Sequence, residues 1–212
     1  MYATVTTVLE SLHPWGRTTE PDGDRSRAAS APPLERAAGS DAETLLRSTS
    51  AVVDAGRKDG DRGLRLEPTF RTAWNDRIEE IRETNSRLEE LAARLDCERD
   101  RLALSVSSDG FVASRDRDRI GCWPSDSAFL ADLAATAVLS ESDPVWQTLE
   151  RDERRLVLTG LRLFLERCPN CKGEPTARTN PPVGDGAGGS SVCLECSRCG
   201  SRLIAGVEDS AP

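Results

Sequence analysis

The sequence predicts an α+β fold: a helix, a three-stranded antiparallel meander and further helices, then a compact C-terminal segment organised by four cysteines, all preceded by a disordered N-terminal region. Three observations carry that expectation. Apolar residues recur at helical spacing from Trp74 to Leu95, they alternate from Leu102 to Trp123, and two C-x-x-C pairs stand at Cys168/Cys171 and Cys196/Cys199. A chain of 212 residues has room for one ordinary domain and a small second one. The expected division is residues 1–66, largely disordered with short helices; 67–167, the α+β domain; and 168–212, the cysteine segment with a flexible tail.

Val5, Val8, Leu9 and Leu12 fall at i, i+3, i+4 and i+7, a short amphipathic helix over 3–13 that Pro14 ends. It is too short to stand alone. Residues 16–41 hold Leu34 as their only large aliphatic side chain, so burial cannot offset the entropy of ordering them and disorder is expected. Ser40 followed by Glu43 is a capping-box pattern. Together with the stripe Leu45, Leu46, Val52, Val53 and a glycine at Gly56, it predicts a helix over about 41–55, after which RKDGDRG reads as a linker.

The next helix is the most periodic in the chain. Trp74, Ile78, Ile81, Asn85, Leu88, Ala92 and Leu95 step by 4, 3, 4, 3, 4 and 3, a heptad seam. Glu83 with Arg87 and Glu90 with Arg94 are i,i+4 pairs in the favourable order, and Asn85 holds an a position, where a lone polar residue fixes register in a paired coil. A homodimer through residues 74–95 is one reading. Three heptads make a short coil, however, and the commoner use of such a stripe is packing on the domain's own sheet.

Leu102, Leu104 and Val106 alternate, Asp109-Gly110 signals a tight hairpin, Phe111 to Arg115 continues, and DRDR turns the chain into Ile120 to Trp123. This is the meander. Pro124 closes it, and Ser125 or Asp126 caps a helix with Phe129, Leu130, Leu133, Ala134, Ala137 and Val138 on one side. Asp143-Pro144 is an N-cap with Pro at the first helical position, opening a short helix with Val145, Trp146 and Leu149. From Asp152 a strongly apolar helix, LVLTGLRLFLER, runs directly into Cys168.

The cysteines carry the chemistry. A C-x-x-C pair brings two sulfurs together from one tight turn, and two such pairs, Cys168/Cys171 and Cys196/Cys199, suit four thiolates around one tetrahedral zinc. Gly200, just after Cys199, supplies the positive φ that such turns often need. Cys193 also precedes Cys196 at x-x spacing, but no glycine follows Cys196, so Cys199 is favoured as the ligand and Cys193 reads as a spare thiol on the entering strand. Few large aliphatics lie in 168–212, too few to fold so short a piece, whereas a structural zinc contributes about 10–16 kcal/mol of apparent binding energy.

GLRLFLERCPNC with ECSRCGSRL resembles the C-terminal zinc ribbons of many uncharacterised proteins of halophilic archaea. The resemblance covers about 45 residues. It implies one structural zinc on Cys168, Cys171, Cys196 and Cys199 and a binding module that is not an enzyme. Two departures from that pattern are visible: Lys172 displaces the glycine expected after Cys171, and the insert PPVGDGAGGSS lengthens the loop.

Composition sets the remaining bounds. Formal charge is −8, with 26 arginines and only Lys58 and Lys172 as lysines, and every segment is net negative: −1, −6 and −1 for 1–66, 67–167 and 168–212. A nucleic-acid partner is therefore disfavoured, although zinc ribbons occur in transcription proteins. The one basic cluster, Arg151, Arg154, Arg155, Arg162 and Arg167, is interleaved with carboxylates. An unidentified protein partner is the expectation, reached through a seam such as Trp74, Ile78, Ile81 and Leu88. His13 is the only histidine and reads as a solvated loop residue, Cys97 and Cys122 read as buried small side chains, and no catalytic triad or phosphate-cradling motif appears. Asp132 and Arg162 interrupt the two longest apolar stretches, so no membrane-spanning helix is expected; with Glu10 inside the first apolar run and cysteines at metal spacing, the expected location is the cytoplasm.

Overall fold

A computed structural model of the chain describes residues 42–55, 63–108, 110–180 and 191–208. The helix expected over 3–13, the disorder expected over 16–41 and His13 lie outside them. The architecture is the expected mixture of helices and antiparallel sheets.

The first described helix, α1 (Ala42–Ser48), is shorter than the sequence predicts. The Ser48 and Thr49 hydroxyls donate back to the carbonyls of Leu45 and Leu46, at 2.7 Å each, which competes with continuing the helical ladder. The β-branched pair that follows prefers an extended chain. Thus β1 (Val52–Asp54) pairs antiparallel with β2 (Leu64–Leu66), Val52 facing Leu66, and the stretch read as a linker joins two strands.

The heptad helix is two helices, α2 (Pro68–Thr84) and α3 (Arg87–Leu95). Asn85 adopts a left-handed conformation (φ 53°, ψ 35°), the N–H of Ser86 donates to Ile81 O at 3.1 Å, and that of Asn85 to Arg82 O at 3.4 Å. This is a Schellman stop. Asn85 ends a helix here; it does not mark the register of a coil. Phe70, Trp74, Ile78 and Ile81 are buried, and α2 packs on the later helix over Asp126–Ser142, where the sequence pointed to a sheet. Three of the four seam residues that a partner would need, Trp74, Ile78 and Ile81, are therefore enclosed by the chain's own core.

The meander has the expected order: β3 (Leu102–Ser107), β4 (Gly110–Arg115) and β5 (Asp118–Trp123). Asp116 and Arg117, with φ of 53° and 79°, form its second turn. Ser125 then caps α4 (Asp126–Ser142), its hydroxyl accepting from Ala128 N–H at 3.2 Å. Every residue from Ser127 to Ala135 is buried, so α4 is the axis of the core, with α2, α3 and α6 (Arg151–Leu161) around it. Trp74 Nε1 donates to Ala131 O on this axis at 2.9 Å.

Between α4 and α6 lies α5 (Pro144–Thr148), capped as expected by Asp143, whose carboxylate accepts from Val145 N–H at 2.9 Å and, through its other oxygen, from Ser50 N–H at 2.7 Å. α6 begins at Arg151, with Glu153 accepting from Glu150 N–H at 2.8 Å, and tightens to a 3-10 turn over Arg162–Phe164, short of the first cysteine. A last antiparallel sheet follows: β6 (Pro175–Asn180), β7 (Ser191–Cys196) and β8 (Arg202–Glu208), in that order. Among the described residues, no helix is long and apolar enough to cross a membrane.

Candidate metal centre

Two turns of identical wiring build the centre. In the first, Cys168 N–H donates to Gly173 O at 2.7 Å and Lys172 N–H to Cys168 O at 2.9 Å; in the second, Cys196 N–H donates to Ser201 O at 3.0 Å and Gly200 N–H to Cys196 O at 2.9 Å. Each pattern folds a C-x-x-C segment so that both of its sulfurs face one point. Gly200 has φ +71°, and Lys172 holds the same place in the first turn with φ 60°, so the missing glycine is replaced without changing the turn. Ser197 N–H reaches Glu174 O at 2.9 Å and ties the two turns together.

The four sulfurs of Cys168, Cys171, Cys196 and Cys199 all lie within 4.8 Å of one another. Cys168 and Cys199 are 3.8 Å apart, Cys171 and Cys196 3.4 Å. Sulfurs about 2.3 Å from one zinc at tetrahedral angles stand about 3.8 Å apart, so the set could hold a metal ion. Cys193 stands apart from this group. It is buried on β7 where the register against β8 shifts, with its sulfur 3.6 Å from Arg178 O on β6. Cys97 and Cys122 are partly buried and lie outside the cluster.

The thiols differ in proton affinity. Burial holds the Cys168 thiol above its ordinary range. At Cys171 the N–H of Gly173 favours the thiolate, but burial and hydrogen bonding with the sulfurs of Cys196, Cys199 and Cys168 outweigh it and push the thiol up to about 12. Cys199 moves the other way: burial resists ionisation, yet the hydroxyl and N–H of Ser201, with the sulfurs of Cys171 and Cys196, bring it down to about 6. One thiolate therefore forms readily and repels the next, and a bound divalent cation removes that repulsion.

The first turn of α4 grips the centre. Ser127 Oγ lies 3.5 Å from Cys168 Sγ, Ser125 Oγ donates to Arg202 O at the start of β8, and Asp126 accepts from Asn170 Nδ2 at 2.9 Å. Arg87 completes this clamp, donating to both oxygens of Asp126 at 2.9 and 3.1 Å and to Asn170 Oδ1 at 2.9 Å. Arg82 donates to Pro169 O at 3.4 Å, and Lys172 pairs with Glu79 on α2. Sequence reasoning missed these roles. In the sequence Ser125 and Asp126 read as alternative caps, and the only signal of more is a Ser-Asp-Ser run longer than one cap needs.

Residues 41–163, more than half of the chain, match the model of a family described as a family of unknown function (DUF8054), central domain. No curated protein and no solved structure matches the chain. The matched span ends inside the 3-10 turn, before the first cysteine of the centre.

Proposed function

The chain belongs to the family of unknown function DUF8054 through its central domain, and, taking that domain with the cysteine centre attached to it, we propose a zinc-ribbon protein without enzymatic activity that acts as a protein-interaction or scaffolding module. One observation carries the reading: four thiols from two identically wired turns converge within 4.8 Å. Four thiolates close a tetrahedral site, whereas a catalytic zinc keeps a position open for water or substrate. Tetrahedral sulfur ligation suits zinc or iron, and the absence of an imidazole from the set fits a structural ion. Such a centre replaces the apolar core that a piece as short as 168–212 lacks, and so supports a rigid surface. Cysteines held as thiols belong in a reducing compartment, which favours the cytoplasm. The acidic, lysine-poor composition fits either a salt-rich cytoplasm or a GC-rich genome.

Elemental analysis of the purified chain tests the metal. We expect one zinc per chain, lost in Cys168→Ser and in Cys199→Ser and kept in Cys193→Ser. Loss of zinc in Cys193→Ser alone would overturn the ligand set. The competing class is a transcription-associated nucleic-acid binder. Net negative charge in every segment, together with a screening length of about 3 Å at 1 M salt, leaves little phosphate attraction for it. A fluorescence-anisotropy titration with duplex DNA at high salt should therefore show no binding, and micromolar, sequence-selective binding would move the protein into that class.

A further inference from the structure

α4 is buried from Ser127 to Ala135 without a break, so it needs cover on every side. Part of that cover comes from beyond the family-matched span. β8 lies on α4, and Leu203 of β8 is fully buried in the same apolar core as Phe129 and Leu130. A polar relay follows the same route. Arg162, 5% exposed, donates from Nη1 to Leu203 O at 2.6 Å, from Nη2 to Thr159 Oγ1 at 2.9 Å, and pairs through Nε with Asp132 Oδ1 at 3.0 Å. The other Asp132 oxygen accepts from Trp123 Nε1 at 2.9 Å. Leu203 O, Arg162, Asp132 and Trp123 thus connect the cysteine sheet to the last strand of the meander.

We propose that the cysteine ribbon is the closing wall of the central domain, and that Arg162 is the positioning residue through which metal binding at the four thiols stabilises that domain. The inference rests on the metal reading above. The turn at Cys196 and Cys199 passes directly into Arg202 and Leu203, so the ion that shapes the turn also places the Leu203 side chain and carbonyl. Without the ion the turn loosens, the Leu203 plug leaves a cavity beside Phe129 and Leu130, and a buried guanidinium nitrogen loses its acceptor. Binding linkage is reciprocal: what the metal gives the domain, the docked domain returns as metal affinity.

The tryptophans make this measurable. Trp74, Trp123 and Trp146 lie in the central domain, none lies in 168–212, and Trp15→Phe removes the fourth. In that background, thermal unfolding of the full chain is followed by tryptophan emission with zinc bound and after chelation under reductant, with zinc content measured alongside. Chelation is expected to lower the midpoint by about 5–10 °C and to shift the tryptophan emission to the red. The double variant Asp132→Leu/Arg162→Met removes both charges together and so avoids a lone buried ion. It should keep zinc and lose more than half of the chelation shift, and Leu203→Ala should do the same should the double variant fail to fold. A residue that merely supports the fold would lower the midpoint equally with and without zinc. An unchanged midpoint in a chain shown to bind one zinc overturns this inference alone, as does a full chelation shift in the variants. A chain without zinc overturns the metal reading and this one with it.

Discussion

Two glycines of the centre serve different needs, and the difference is testable. Gly200 has φ +71° and nothing within 4 Å of a would-be Cβ, so only its backbone conformation demands glycine. A Cβ on Gly173 would meet Arg198 Cβ at 2.5 Å, Cys196 Sγ at 2.9 Å and Cys171 Sγ at 3.3 Å. Gly200→Ala should cost about 1 kcal/mol of stability and keep the metal. Gly173→Ala should instead push two sulfurs apart and weaken zinc binding at least tenfold in competition with a chromogenic chelator. Equal zinc affinity in the two variants would show that a backbone shift at Arg198, whose Cβ is the nearest atom, relieves the crowding and spares the sulfurs. Lys172 accepts the conformation that Gly200 has for free, and its ammonium, ahead of Arg82, holds the Glu79 carboxyl below the ordinary carboxylate range.

At the scale of elements, α2 begins on a carboxylate that caps it from outside. Glu67 accepts from Phe70 N–H at 2.8 Å, and that bond, ahead of the one from Thr69, holds its carboxyl below the ordinary range. A depressed folded pKa contributes stability above the unfolded value, about 4.3, and loses it as pH falls through the folded value. Glu67→Gln keeps an acceptor but no charge, so its deficit in urea midpoint should be present at pH 7 and shrink toward pH 3. A deficit independent of pH would assign the cap to hydrogen bonding without charge. The caps at Ser125 and Asp143 and the meander were legible in the sequence because each depends on residues close in the chain. The break at Asn85 was not, because the apolar spacing of the sequence runs on through the stop to Leu88, Ala92 and Leu95. Nor was β1 pairing with β2, a contact across a polar stretch that carries no apolar pattern. The four cysteines were legible from spacing alone, but the Asp126, Arg87 and Asn170 clamp joins residues 39 to 83 positions apart, and no local pattern encodes it.

For the whole molecule, the question is whether the cysteine sheet and the family domain unfold as one body or two. Sequence division at residue 167 suggests two, since the metal can fold a short ribbon by itself and the family span stops before it. Contacts across that division argue for one: Leu203 in the common core, Arg162 on Leu203 O, Ser127 beside Cys168, and Arg82 on Pro169 O. A boundary between independent domains is more polar and carries few buried groups, whereas here a fully buried leucine and a buried guanidinium cross it. In a urea titration of the zinc-loaded chain, zinc release, seen by a chromogenic chelator, and tryptophan emission should therefore follow a single transition with one midpoint. Zinc release that is complete while the emission of Trp74, Trp123 and Trp146 is still native would show the ribbon opening alone, and the family domain would then stand without its metal-bound wall.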